Sequence, residues 1–195
     1  MNKLNISFEK SIGTIDQIPL KTTKEIVLSG KSNVGKSSLI NAIISKKIAY
    51  TSKTAGKTTL INFYSCKKFK IVDVPGYGFS RRSKDEKMRF NSLTDNYFKL
   101  KRYDLAFHLI DSRNKLQEND AQMIDFLSEN GIEFYVLLTK IDKMSKSKCK
   151  EYTFELKSQI DDISKSYKEI IPVSSKTGEN ISKVRNIIMS VANSR

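Results

Sequence analysis

The chain has 195 residues, of which 38% are apolar and interleaved with polar ones; that length suits one domain burying about 70% of its unfolded surface. No apolar run approaches a membrane span, and Met1-Asn2-Lys3-Leu4-Asn5 lacks the apolar core of a signal peptide, so the expectation is a soluble, cytoplasmic protein. Thirty-five Lys and Arg against 21 Asp and Glu leave a net charge of +14, which suits an acidic partner, either nucleic acid or a membrane surface, unless a lysine-rich proteome is its source.

In residues 1–23, Ile6, Phe8, Ile12, Ile15 and Ile18 are apolar among polar neighbours, which predicts a short edge strand packed on a main sheet. This N-terminal extension precedes a single domain over 24–195. Glu25–Leu28 reads as a short buried strand. It leads into Gly30-Lys31-Ser32-Asn33-Val34-Gly35-Lys36-Ser37, which fills every fixed position of the phosphate-binding pattern G-x-x-x-x-G-K-[ST]. Ser38–Ile44 continues as a helix, apolar at 39, 40, 43 and 44. Strand, glycine turn and helix N-terminus aim backbone N–H groups at phosphate oxygens. Lys36 would reach the β- and γ-phosphates, and the Ser37 hydroxyl would take one magnesium site.

A polar stretch follows, holding Gly56, Lys57, Thr58, Thr59 and Leu60. A threonine in the loop after the first helix can offer its hydroxyl to magnesium and its N–H to the γ-phosphate, and Thr58, two residues after Gly56, is the candidate. Alone, it is also an ordinary loop threonine. Leu60–Cys66 and Phe69–Val74 read as an antiparallel hairpin that delivers Asp73-Val74-Pro75-Gly76. A strand-end Asp73 can hold the magnesium shell, and Gly76 can point its N–H at the γ-phosphate. Tyr77–Arg82 is aromatic and basic, suited either to a macromolecular contact or to folding back on the protein, and a helix is expected over 84–100.

Leu105–Asp111 is a central parallel strand containing the one histidine, His108, expected as core packing. A helix over 116–130, stopped by Gly131, leads to the strand 133–138 and then Thr139-Lys140-Ile141-Asp142. An Asp142 carboxylate there accepts from both N1–H and the exocyclic amine of guanine and repels adenine. The Lys140 stem would lie along the base or across the P-loop. After a lysine-rich helix (145–166) and a last strand (169–173), Val173, Ser174, Ser175 and Lys176 would bring backbone N–H groups to the base oxygen, and a helix over 180–192 closes the chain. Cys66 and Cys149 are isolated and form no metal pattern.

Taken together, Gly30–Ser37, Thr58, Asp73–Gly76, Thr139–Asp142 and Ser174–Lys176 resemble the five motifs of the translation-factor-related small GTPases. Gly-Lys-Ser-Asn-Val-Gly-Lys-Ser, Thr-Ser-Lys-Thr-Ala-Gly-Lys-Thr, Asp-Val-Pro-Gly-Tyr-Gly-Phe and Thr-Lys-Ile-Asp-Lys look most like the EngB (YihA/YsxC) family of bacterial ribosome-assembly GTPases. Ala55, Lys57 and Thr59 depart from the residues usual in that family without removing a ligand-bearing group.

The resemblance implies an α/β fold of three layers: a mostly parallel six-stranded sheet with one antiparallel strand and helices on both faces. It also implies a monomeric, magnesium-dependent GTP-binding protein that slowly hydrolyses GTP. Its partners would be the large ribosomal subunit or its precursors, with no membrane, and its role would extend to cell division and septation. Catalytic roles fall on Lys36, Thr58, Gly76 and Asn33. Tyr77 stands where many small GTPases place a glutamine, which predicts slow turnover. Asn33 matches a position that in related GTPases holds potassium, or else it only fixes loop geometry. A P-loop ATPase, or a related GTPase acting on another RNA, are the rival readings.

Overall fold

The computed structural model describes residues 5–49, 60–77 and 93–194. Its seven strands are β1 (Ser7–Ile12), β2 (Lys24–Gly30), β3 (Ile61–Ser65), β4 (Phe69–Asp73), β5 (Leu105–Asp111), β6 (Phe134–Thr139) and β7 (Tyr167–Pro172), forming one sheet in the order β1-β3-β4-β2-β5-β6-β7. The helices are α1 (Lys36–Ile44), α2 (residues 93–99), α3 (Glu118–Glu129), α4 (Lys146–Ile163) and α5 (Ile181–Asn193). Strands β4, β2, β5, β6 and β7 pair in parallel, and β3 is antiparallel to both β1 and β4. One strand therefore runs against the rest, as expected. The count is seven rather than six because the N-terminal extension is itself the outer strand.

Strands β2, β4 and β5 are buried along nearly their whole length, which is why they read as unbroken apolar runs rather than alternating ones. Their successive side chains serve opposite faces. Leu28 and Phe107 pack with Leu39, Ile40, Val184 and Ile188 of α1 and α5. On the other face Val27, Val72 and Ile110 meet Ile124 and Leu127 of α3 and Leu156 and Ile160 of α4. Among the described residues no helix is long and apolar enough to cross a membrane.

The chain reverses its strand order at β2, which lies between β4 and β5. In open parallel sheets the crevice at the carboxyl ends of such strands is where ligands settle. The P-loop leaves β2 there, Asp73–Gly76 leaves β4, Thr139–Asp142 leaves β6 and Val173–Lys176 leaves β7.

At the opposite end of β2, Glu25 is 0% exposed. Its carboxylate is gripped by Arg102 through Nη2 to Oε1 at 2.5 Å and Nε to Oε2 at 2.8 Å, and the Tyr97 hydroxyl donates to Oε2 at 3.1 Å. Arg102 also donates to the Pro19 carbonyl at 2.8 Å, tying the extension to the core. Removing one partner of a buried ion pair leaves a charge with nothing to answer it. Arg102→Met is expected to destabilise the fold by about 3–5 kcal/mol in urea unfolding, and adding Glu25→Gln should restore much of that loss.

Candidate functional site

The P-loop turn depends on backbone that only glycine takes easily. Gly30 has φ 142°, and a Cβ there would lie 2.6 Å from the Leu109 carbonyl oxygen. Asn33 is also left-handed, at φ 62°. The turn delivers Lys36 as the first residue of α1, whose first-turn N–H groups form a natural anion site. Lys36 is 8% exposed, and its Nζ donates to the Gly30 carbonyl at 3.1 Å. Burial lowers its pKa, opposed by the nearby Asp73 carboxylate.

Asp73 is 2% exposed at the end of β4, and its Oδ1 has no hydrogen-bond partner among the described residues. Burial pushes its pKa up to about 6, with Lys36 pulling the other way. An orphaned, buried carboxylate oxygen is what a hard divalent cation would satisfy. The donor chemistry fits magnesium, which takes one or two protein oxygens and completes its shell with phosphate and water; among the described residues no group of three His, Cys, Asp or Glu gathers to form an all-protein cage. Ser37 is half-buried in the first turn of α1 and can supply a second oxygen. Gly76 closes this end of the crevice. Its carbonyl accepts from Ser32 Oγ at 2.9 Å, and a Cβ on it would lie 2.7 Å from Ser32 N and 2.8 Å from Lys36 Nζ. Only a glycine lets the backbone pass so close.

The base end of the crevice is strapped to the P-loop. Thr139 Oγ1 lies 2.7 Å from the Val34 carbonyl oxygen and 3.1 Å from that of Ile110. Lys140, left-handed at φ 61°, sends Nζ across the P-loop to the Asn33 carbonyl at 2.5 Å and to Asp111 Oδ2 at 2.8 Å. Burial would raise the Asp111 pKa, but hydrogen bonds from Arg113 and Lys140 outweigh it and bring the value to about 2. Asp142 sits in a one-turn 3₁₀ helix and accepts from Ser174 Oγ at 2.7 Å. The fully buried Ser174 hydroxyl oxygen in turn accepts from the N–H groups of Lys176 and Thr177, each at 3.2 Å. Val34, Gly35, Lys140, Asp142, Ser175 and Lys176 share one cleft of about 710 Å³.

The structure thus brings together Gly30, Ser32, Lys36, Asp73 and Gly76 at one end and Thr139, Lys140, Asp142 and Ser174–Lys176 at the other. Leu60 is 39% exposed just ahead of β3. Gly56, Lys57, Thr58 and Thr59 lie outside the described residues, as do the aromatic-basic loop after Tyr77 and residues 84–92 of the expected helix. Two features were not picked out from the sequence. Asp111, with Arg113 and Lys140, had only its strand-end position as a signal. His108 is buried in β5, as expected for core packing, but it also hydrogen-bonds Ser29 and Tyr77.

Comparison with known proteins fits this geometry. A family model described as a 50S ribosome-binding GTPase matches residues 25–140. The chain is 43% identical to a protein of Thermotoga petrophila named probable GTP-binding protein EngB, over 89% of this chain and 88% of the relative. It is 44% identical to the Petrotoga mobilis protein of the same name, over 92% and 91%. The crystal structure of a probable GTP-binding protein engB superposes with a TM-score of 0.65 at 28% identity, covering 88% of this chain and 100% of that one.

Asp73 also sets a pH dependence. Its folded pKa lies above that of an unfolded aspartate, so its contribution to stability is full below the unfolded value and is lost as pH rises through about 6. In nucleotide-free protein, Asp73→Asn is expected to flatten the stability profile between about pH 4 and 7 and to raise stability at pH 7, read by urea unfolding across that range.

Proposed function

This chain belongs to the EngB family of GTP-binding P-loop GTPases, and from that premise we propose that it is a slow, magnesium-dependent GTP hydrolase acting as a nucleotide switch in assembly of the large ribosomal subunit. The observation that carries the proposal is the buried pair formed by Lys36 at the start of α1 and Asp73 at the end of β4, a lysine and an aspartate that want a phosphate and a cation; the Asp142 carboxylate, suited to guanine, lines the cleft on the other side of Val34 and Gly35 of the P-loop. Lys31, Ser32, Asn33, Val34, Gly35 and Lys36 wrap the phosphates. Ser37, Thr58 and Asp73 would hold magnesium, which when bound would supply positive charge to offset that of the phosphates. Asp142 reads the base, with Ile141, Val173, Ser174, Ser175 and Lys176 around it.

Water attacks the γ-phosphorus in line, the bond to the bridging oxygen breaks, and GDP and phosphate leave. Lys36 screens the charge that moves onto the leaving oxygen, while the Thr58 and Gly76 N–H groups hold the γ-phosphate. Tyr77 has no amide with which to position the water as a glutamine would. Turnover is accordingly slow. Asn33 is exposed beside the phosphates and can help hold potassium there; hydrolysis is expected to run faster in potassium than in sodium, and equal rates in a phosphate-release assay would remove that ion role.

Bound GTP engages Thr58 and Gly76, and the surface so formed binds ribosomal RNA and protein. The net charge of +14 supports phosphate contacts, as does the 50S ribosome-binding description of the matched family. The protein works as a cytoplasmic monomer, and its loss disturbs division and septation through ribosome supply. Co-sedimentation with ribosomal particles tests the switch: binding should be stronger with a GTP analogue than with GDP and should fall steeply between about 50 and 200 mM salt. Binding that ignores the nucleotide would contradict it.

A further inference from the structure

Tyr77 is bound into the protein at both ends. Its carbonyl accepts from Ser32 N at 3.0 Å, next to the bond from Ser32 Oγ to the Gly76 carbonyl, so residues 76 and 77 pair with the P-loop like a short strand. Its hydroxyl lies 2.5 Å from Asp120 Oδ1 and 3.2 Å from His108 Nε2, and its ring runs nearly parallel to the imidazole. His108 Nδ1 faces Ser29 Oγ at 3.0 Å. His108 and Asp120 are both buried, and burial holds the Tyr77 pKa well above the usual phenol value.

Counting protons fixes the direction of this chain. A phenol has one hydrogen, and a carboxylate can only accept, so the Tyr77 hydroxyl donates to Asp120. His108 Nε2 must then carry the hydrogen that faces the Tyr77 oxygen. In the neutral ring Nδ1 accepts from Ser29. The phenol oxygen lies between the imidazole and the carboxylate, whose Nε2 and Oδ1 are themselves 3.7 Å apart. Asp120 belongs to the first turn of α3, where its Oδ2 accepts from Gln117 N at 3.3 Å. Gln117 in turn takes a hydrogen bond from Lys31 of the P-loop at 2.6 Å. Polar networks of this kind, closed and buried, hold one arrangement strongly.

We propose that Tyr77 is a positioning residue: through His108 and Asp120 its hydroxyl latches the Asp73–Gly76 segment onto the P-loop and biases the site toward a diphosphate over a triphosphate. The inference rests on the guanine-nucleotide reading of the site. With the latch closed, Gly76 lies so near the P-loop that a Cβ on it would fall 2.7 Å from Ser32 N and 2.8 Å from Lys36 Nζ, the ammonium that a third phosphate must reach. A triphosphate therefore requires this backbone to shift and Tyr77 to move with it. A ligand changes such an equilibrium only by its differential affinity for the two arrangements, so the latch lowers apparent triphosphate affinity and leaves diphosphate affinity nearly as it was.

The test is the ratio of dissociation constants for GDP and a non-hydrolysable GTP analogue, measured by calorimetry with magnesium. Tyr77→Phe keeps the ring and removes the hydroxyl that ties residue 77 to His108 and Asp120, so the ratio should move about tenfold toward the triphosphate. Asp120→Asn, which keeps an acceptor oxygen but loses its charge, should move it the same way by less. Tyr97→Phe is the control: it deletes another buried phenol bond, to Glu25, far from the crevice, and should lower stability without moving the ratio. A ratio unmoved by both Tyr77→Phe and Asp120→Asn, or moved toward GDP, overturns the latch. Wild-type protein that binds neither nucleotide overturns the reading of the site, which is a separate result.

Discussion

A lysine at the start of α1 and an aspartate at the carboxyl end of β4 are buried within reach of each other's charge, and the rest of the structure is arranged to keep them there. Lys36 and Asp73 have given up most of their water. Each has its pKa displaced by that burial toward the neutral form, the lysine downward and the aspartate upward. Among the described residues one carboxylate oxygen finds no hydrogen-bond partner, and the ammonium bonds a backbone carbonyl. Groups in this state are costly to hold without ligands and well prepared to receive them. A phosphate tail and its cation would satisfy both at once, and their binding would draw on the desolvation already suffered by the fold.

The far end of the crevice is not independent of this pair. Thr139 and Lys140 leave β6 and bond the carbonyls of Val34 and Asn33, so the element that carries Asp142 also sets the path of the P-loop. Asp111 anchors the Lys140 ammonium, and Arg113 anchors Asp111 through Nε at 2.9 Å and Nη2 at 2.7 Å. A shift of the base-reading turn would therefore pull on the phosphate turn. Opposite it, residues 76 and 77 lie on Ser32, and α3 holds Tyr77 through Asp120. The P-loop is gripped from two sides by segments that would meet different parts of one nucleotide, which is the physical form a switch needs.

Much of this was legible from residue order alone, because the chemistry depends on local spacing. The glycine turn between a buried strand and an amphipathic helix, Asp73 at the end of a second strand and Asp142 after a third all fall where the spacing placed them. The near-four spacing of apolar residues 39, 40, 43 and 44 also matched the buried face of α1. What escaped depends on which strands become neighbours. Ser29 and His108 are 79 positions apart and meet only because β5 pairs with β2 in one register. Asp120 reaches Tyr77 only because α3 packs beside that seam. The Lys140 stem had two open paths, and the left-handed backbone at that residue, a tertiary feature, sends it across the P-loop. The extension was expected at the sheet edge, yet the strand count fell one short, since a half-exposed strand such as β1 shows its place only through its partner β3.

The central claim is that the crevice at the reversal of strand order is a guanine-nucleotide site completed by Lys36, Asp73 and Asp142. Titration calorimetry of the folded protein with GDP, GTP and ATP in magnesium buffer, repeated on Asp142→Asn, tests it most directly. The account predicts heat for both guanine nucleotides, little or none for ATP, and guanine affinity weakened at least about tenfold by the substitution. No heat with either guanine nucleotide, or tight binding of ATP, would contradict it.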